Sequence, residues 1–164
     1  LDSLDPFFSK ANQTGSGLFI LVHTSNKGSQ DIQEILINQN LKCYEHLANI
    51  LKPIIEKNNG QSGLSSIGIV SGATYKEQAI SLRKKLPSAP FLIPGYGAQG
   101  ASASEACAPL ITDKSYSGLK NFGLINASRS VLFPKNSYSV NSIKKWQDII
   151  LTEIEKTNNL LINT

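Results

Sequence analysis

Three features of this 164-residue sequence predict an α/β fold built on a parallel sheet. Four short apolar runs recur along the chain, each followed by a longer stretch with helical patterning. The runs are apolar on both faces, as expected of strands covered on both sides, instead of alternating. Each run ends in a cluster of small and polar residues. Half of a (β/α)8 barrel and a small doubly wound sheet both satisfy this pattern.

Residues 5–12 read as the tail of a helix, with Asp5 as N-cap and Pro6 at the first helical position. Leu18-Phe19-Ile20-Leu21-Val22 is the first strand. A helix is predicted from residue 29 or 30 to 38, and a second over 41–57. Ile67-Gly68-Ile69-Val70 is the second strand. Thr74 is placed to cap a helix over 75–86, with Glu77 three residues on, as a capping box requires. Pro90-Phe91-Leu92-Ile93 is the third strand, with a short helix over 101–108 behind it. Phe122-Gly123-Leu124-Ile125-Asn126 is the fourth, and a long helix over 140–156 closes the pattern.

Composition narrows the function classes. With 40% hydrophobic and 17% charged residues, the chain is globular and not disordered. Its longest apolar run, Leu18 to Val22, is far short of the ~20 residues a membrane helix needs. Leu1-Asp2-Ser3-Leu4-Asp5 shows no basic region followed by an apolar stretch, so no signal peptide is expected. The net charge of +4 is mostly Lys on helical segments, which suits an anionic small substrate. No aromatic and basic interleaving points to nucleic acid. Cys43 and Cys107 lack metal spacing and are expected to be reduced thiols of a cytoplasmic protein; His23 and His46 are expected to be structural. The sequence contains no Met and opens on Leu, which leads to the expectation of a piece of a longer chain cut at its front.

The strand ends carry the polar chemistry. They run into His23-Thr24-Ser25-Asn26-Lys27-Gly28, Ser71-Gly72-Ala73-Thr74, Pro94-Gly95-Tyr96-Gly97-Ala98-Gln99-Gly100 and Asn126-Ala127-Ser128-Arg129-Ser130. In either architecture ligands bind at these carboxyl ends. The third loop has glycines that let a backbone approach a ligand and aim amides at it. The fourth carries Arg129, one of two arginines, whose planar fork matches phosphate oxygens. A phosphate site is therefore expected between these loops. No Ser-His-Asp order, metal-ligand helix or carboxylate-lysine cluster is evident at the strand ends.

Gly72-Ala73-Thr74-Tyr75, the run from Phe91 to Gly100, and Ile125-Asn126-Ala127-Ser128-Arg129 resemble orotidine 5'-monophosphate decarboxylase, in particular its longer bacterial subgroup. Leu21-Val22-His23-Thr24-Ser25-Asn26, Tyr44-Glu45-His46 and Asp2-Ser3-Leu4-Asp5-Pro6-Phe7 fit the same pattern, so the resemblance covers nearly the whole chain in order. It implies a (β/α)8 TIM barrel of which residues 1–164 supply about the last four β/α units, the carboxyl-terminal half of one domain. It also implies a homodimer that converts orotidine 5'-monophosphate to UMP and CO2 without a cofactor. Ser25 would meet the pyrimidine, and Pro94 and Gly95 would shape the loop over the nucleotide. Gln99, with the amides around Gly97, would grip the phosphate, and Arg129 with the Ser128 backbone would take its other side. Ser71 stands where the family usually has Val, and Ser130 where it usually has Gly. The family's Asp-x-Lys-x-x-Asp catalytic motif has no counterpart here, so no catalytic residue is assigned to this chain. One alternative is a non-catalytic nucleotide-binding half-barrel, alone or self-paired. A weaker one is another barrel enzyme acting on a sugar phosphate, against which the Ser25 segment argues.

Overall fold

The computed structural model describes residues 1–112 and 120–164. Its centre is a four-stranded, all-parallel sheet made of β1 (Leu18–His23), β4 (Ile67–Ser71), β5 (Phe91–Pro94) and β8 (Gly123–Asn126), in that spatial order. Each strand lies beside the one before it, with no reversal of order. A doubly wound sheet reverses direction at a switch point, whereas a barrel winds one way. The winding therefore selects four consecutive units of a (β/α)8 barrel over the doubly wound alternative.

Helices α1 (Asp5–Thr14), α2 (Cys43–Lys57) and α3 (Lys76–Lys85) accompany the first three strands. Helix α4 (Ala103–Cys107) follows β5, and α5 (Arg129–Leu132) and α6 (Ile143–Ile162) follow β8. Two small antiparallel pairs lie outside the sheet: β2 (Leu36–Asn38) with β3 (Leu41–Lys42), and β6 (Ile111–Thr112) with β7 (Lys120–Asn121).

Parallel register puts paired residues on one face. Ile67, Ile69, Phe91 and Ile93 point to the helices and are fully buried against Ala48, Leu51 and Ile55 of α2 and Leu82 of α3. The opposite face is open: Phe19, Leu21 and Leu124 are 43%, 52% and 60% exposed. That face is the inner wall of a barrel sector, and β1 and β8 are its two edges.

Several local expectations are corrected. The helix expected over 29–38 is a 3-10 turn (Lys27–Asp31) followed by β2, because the consecutive apolar Ile35, Leu36 and Ile37 suit an extended chain. Asp5 is inside α1; its N-cap is Leu4, without a side-chain cap. Thr74 does not cap α3, whose N-cap is Tyr75; the Thr74 hydroxyl instead donates to the Ser25 carbonyl at 2.8 Å. The short helix after β5 does carry a capping box, on Ser102 and Glu105. The last helix is displaced toward the carboxyl end, at Ile143–Ile162.

Arg83 pins the amino ends of the strands. Its guanidinium is buried and donates to five main-chain carbonyls, those of Pro109, Leu86, Pro87, Ala89 and Phe122, at 2.7–3.3 Å. It also stacks 3.8 Å above the Phe91 ring. Burial lowers its pKa to about 10, which leaves it cationic at neutral pH. Ala89 lies two residues before β5 and Phe122 immediately before β8, so one side chain joins the starts of both. Lys cannot span this fan of acceptors. Arg83→Lys should therefore cost about 2–4 kcal/mol, read as a lower urea midpoint, because it strands buried carbonyls.

Candidate anion-binding site at the strand ends

The register of β5 and β8 ends on the pair Pro94 and Asn126, so the loops that leave them start side by side. Between these loops lies a hollow of ≈ 140 Å³ lined by Pro94, Gly95, Tyr96, Ala98, Gln99, Asn126, Ser128 and Arg129. Five of the sequence-predicted residues, Pro94, Gly95, Gln99, Ser128 and Arg129, thus share one cavity. A second, wider hollow lies on the other side of Arg129 and is lined by Gly97, Ala98, Ser130 and Lys135 among others.

Backbone conformation explains the glycines. Gly95 has φ +105, a conformation that side chains rarely adopt. A β-carbon there would fall 2.7 Å from Ser25 Cβ, 3.2 Å from Ser25 Oγ and 3.2 Å from Gln99 Oε1. Gly95 is therefore where the β1 loop closes on the β5 loop. That contact brings Ser25 beside Gln99, although Ser25 does not line the hollow itself.

Two of the loop's amides are used within the loop itself. The Gly97 N–H donates to the Ala101 carbonyl at 3.1 Å, and the Gly100 N–H to the Gly97 carbonyl at 2.9 Å. These two amides hold the turn and are not offered to a ligand. The side chains at the hollow are the Arg129 guanidinium, the Gln99 carboxamide, and those of Ser128 and Asn126, whose Oγ and Oδ1 are 3.0 Å apart; the loop at Ala98 and Gln99 lines it too. Arg129 is exposed and forms no ion pair with any described residue, so its charge is available to an anion.

Sequence reading missed the network that holds the Ser25 loop. His23 is fully buried between the edges of the Tyr44 and Tyr75 rings. Its Nε2 lies 2.9 Å from Glu34 Oε1 and its Nδ1 3.1 Å from the Thr24 carbonyl. Glu34 also accepts from Lys42 Nζ and from Gln78 Nε2. The neighbouring Gln33 Oε1 accepts from the Thr24 N–H at 2.8 Å. Across the loop, the Tyr75 hydroxyl donates to the Asn26 carbonyl at 3.2 Å, and the Ala73 N–H to the Pro94 carbonyl at 2.8 Å. His23 is thus structural, as expected. Its acidic partner was hidden because residues 29–38 do not form the expected helix. Burial pushes the Glu34 pKa up, but hydrogen bonds from Lys42, His23 and Gln78 outweigh it, and the net shift is downward from 4.5. The stability Glu34 adds is therefore fully present above pH 4.5 and is lost as pH falls through the lowered folded value. Glu34→Gln should flatten that acid limb of the stability curve, measured by urea unfolding from pH 7 to pH 3.

No family model matches the chain. The orotidine 5'-phosphate decarboxylase of Clostridium kluyveri is 41% identical over 131 residues, which is 80% of this chain and 43% of that protein. The Clostridium tetani enzyme of the same name is 42% identical over 132 residues, again 80% and 43%. The chain thus spans less than half the length of the curated relatives it matches. Among solved structures, Leishmania donovani OMP decarboxylase superposes with a TM-score of 0.58 at 26% identity, covering 94% of this chain and 52% of that one. Leishmania donovani UMP synthase gives 0.60 at 28%, covering 93% and 30%. The Methanocaldococcus jannaschii orotidine 5'-monophosphate decarboxylase, complexed with the inhibitor BMP, gives 0.59 at 15% over 99% and 57%, a likeness of fold alone. Sequence and fold together make this chain a relative of the orotidine 5'-phosphate decarboxylases.

Proposed function

We propose that this chain carries the nucleotide-binding side of an orotidine 5'-monophosphate decarboxylase, with residues 1–164 as the carboxyl-terminal half of one barrel domain. The observation that carries this reading is the single hollow in which Gln99 and Arg129 meet at the carboxyl ends of adjacent parallel strands. The identity to clostridial enzymes of that name supports it.

Arg129 takes two phosphate oxygens with its fork, and the Gln99 carboxamide donates from the facing loop. Ser128 closes the same side with its backbone. Pro94 and Gly95 bend the chain over the nucleotide, and Gly97 turns it back. Ser25, held at Gly95, meets the pyrimidine through its hydroxyl. In the reaction the carboxylate leaves the ring as CO2 and the ring carbon takes a proton. That proton is assigned to no residue of this chain, because no Asp-x-Lys-x-x-Asp spacing occurs in it. The part played here is binding: a phosphate held away from the reacting carbon supplies energy that is realised at the transition state. The complete enzyme, on this reading, is a cytoplasmic homodimer that uses no cofactor.

The missing motif also favours a second reading, a half-barrel that binds nucleotide without chemistry. Joining the chain to the front half of a clostridial relative separates the two. Decarboxylation, followed as loss of orotidine 5'-monophosphate absorbance, is expected under the first and not under the second. UMP titrated into the chain by calorimetry should bind in both cases. Arg129→Ala should weaken it by roughly 2–3 kcal/mol, or about 30- to 150-fold, as loss of charged hydrogen bonds does. Unchanged UMP affinity in that variant refutes the clasp.

A further inference from the structure

Ser130 directly follows Arg129 and faces the glycine loop. Gly97, at φ +72, approaches it so closely that an added β-carbon would fall 2.8 Å from Ser130 Oγ and 3.2 Å from Ser130 Cβ. The Ser130 side chain thus occupies the space a side chain on Gly97 would need. Its hydroxyl oxygen is sealed from solvent and has no hydrogen-bond partner among the described residues. A buried hydroxyl left unpaired is a cost, not a gain. What the side chain supplies is contact volume between two loops that join different strands.

The position of that contact gives it a consequence. Ser130 lies within α5, where the Leu132 N–H donates to the Ser128 carbonyl at 2.8 Å and the Phe133 N–H to the Arg129 carbonyl at 3.1 Å. Its backbone is therefore fixed relative to that of Arg129. On the other side, Gly97 is tied to Ala101 and Gly100 by the turn that presents Gln99. We infer that Ser130 is a positioning residue: its side chain braces the glycine loop against the Arg129 loop and sets the separation of Gln99 and Arg129 across the hollow. The brace rests on the anion-clasp reading above. Without it, the glycine loop, with φ positive at Gly95, Gly97 and Gly100, has nothing on this side to lean on. The two halves of the clasp would then be held less firmly at one spacing, and affinity falls when geometry must be fixed on binding.

A size-swap cycle tests this on the whole chain, with UMP and inorganic phosphate as probes in calorimetry and melting temperature as the control. Ser130→Ala keeps the contacting β-carbon and drops the orphan hydroxyl. It should bind within about twofold of the unsubstituted chain and melt no lower. Ser130→Gly should bind roughly three- to tenfold more weakly. Gly97→Ala should lose more, because strain at positive φ adds to the clash. In the double variant the new methyl fills the vacated space, so its loss should be clearly smaller than the product of the single losses. Multiplicative losses, or a Ser130→Ala loss equal to that of Ser130→Gly, overturn the brace. If the unsubstituted chain binds neither probe, brace and clasp fall together. If Arg129→Ala abolishes binding while the cycle shows no coupling, the brace alone falls.

Discussion

The pairing of β5 with β8 is the constraint on which the candidate site depends. It is fixed at the amino end by the Arg83 guanidinium, which donates to carbonyls just ahead of the two strands, those of Ala89 and Phe122. The Phe91 N–H donates to the same Phe122 carbonyl at 2.9 Å. Phe122 sits at φ 71, a conformation unusual for a bulky residue, and its doubly used carbonyl gives the fold a reason to hold it there. A register set at one end of a short parallel pair, at Phe91 beside Gly123, is delivered three residues later as Pro94 beside Asn126. A slip of one residue would turn each side chain of β8 to the opposite face. Asn126 would then leave the loop junction, and Arg129 would leave Gln99.

The two arginines divide the work by environment. Arg83 is buried and its donors are taken up by carbonyls and an aromatic face. Arg129 is exposed at a hollow and forms no ion pair with a described residue, although Glu153 shares the wider hollow beside it. A guanidinium buried among carbonyls is a structural tie, because every lone pair it meets belongs to the backbone. A guanidinium without an ion pair, beside a carboxamide and a glycine-rich turn, keeps its fork open to an anion. Residue type alone does not distinguish these roles; the distribution of acceptors around each does.

Much of this was legible in the sequence where the signal is local and periodic. The four strands, the helices behind them and the loops that close on the hollow follow from apolar runs punctuated by Gly and Ser. The choice between barrel sector and doubly wound sheet came only from the family resemblance of the loops, because it depends on which strands become neighbours, and no local periodicity encodes that. The same reason hides the Glu34 network, whose partners His23, Lys42 and Gln78 come from three other segments of chain. Thr74 shows the converse failure. It matches a capping box by spacing, yet its hydroxyl reaches the Ser25 carbonyl 49 residues away. A tertiary acceptor at 2.8 Å wins over the helix end that spacing predicts.

The architecture also explains how binding and chemistry can be carried by different stretches of a barrel chain. Each β/α unit contributes its own loop to the carboxyl face, so a grip assembled from two adjacent units needs no others to form its geometry. The hollow between Gln99 and Arg129 is of that kind: both walls come from β5 and β8, and Arg83 ties those strands from below. A reacting centre over the barrel axis is different, because its groups must converge from strands on opposite sides of the ring. Here the axis-facing surface includes Phe19, Leu21, Val70, Leu92 and Leu124, an apolar wall that ends on Pro94 and Asn126 and carries no acid or base among these residues. Such a wall can exclude water from a base or ring and cannot itself deliver a proton. On the proposed reading the anion grip needs the loops of β5 and β8 for its two walls, while the proton chemistry is assigned to no residue of this wall.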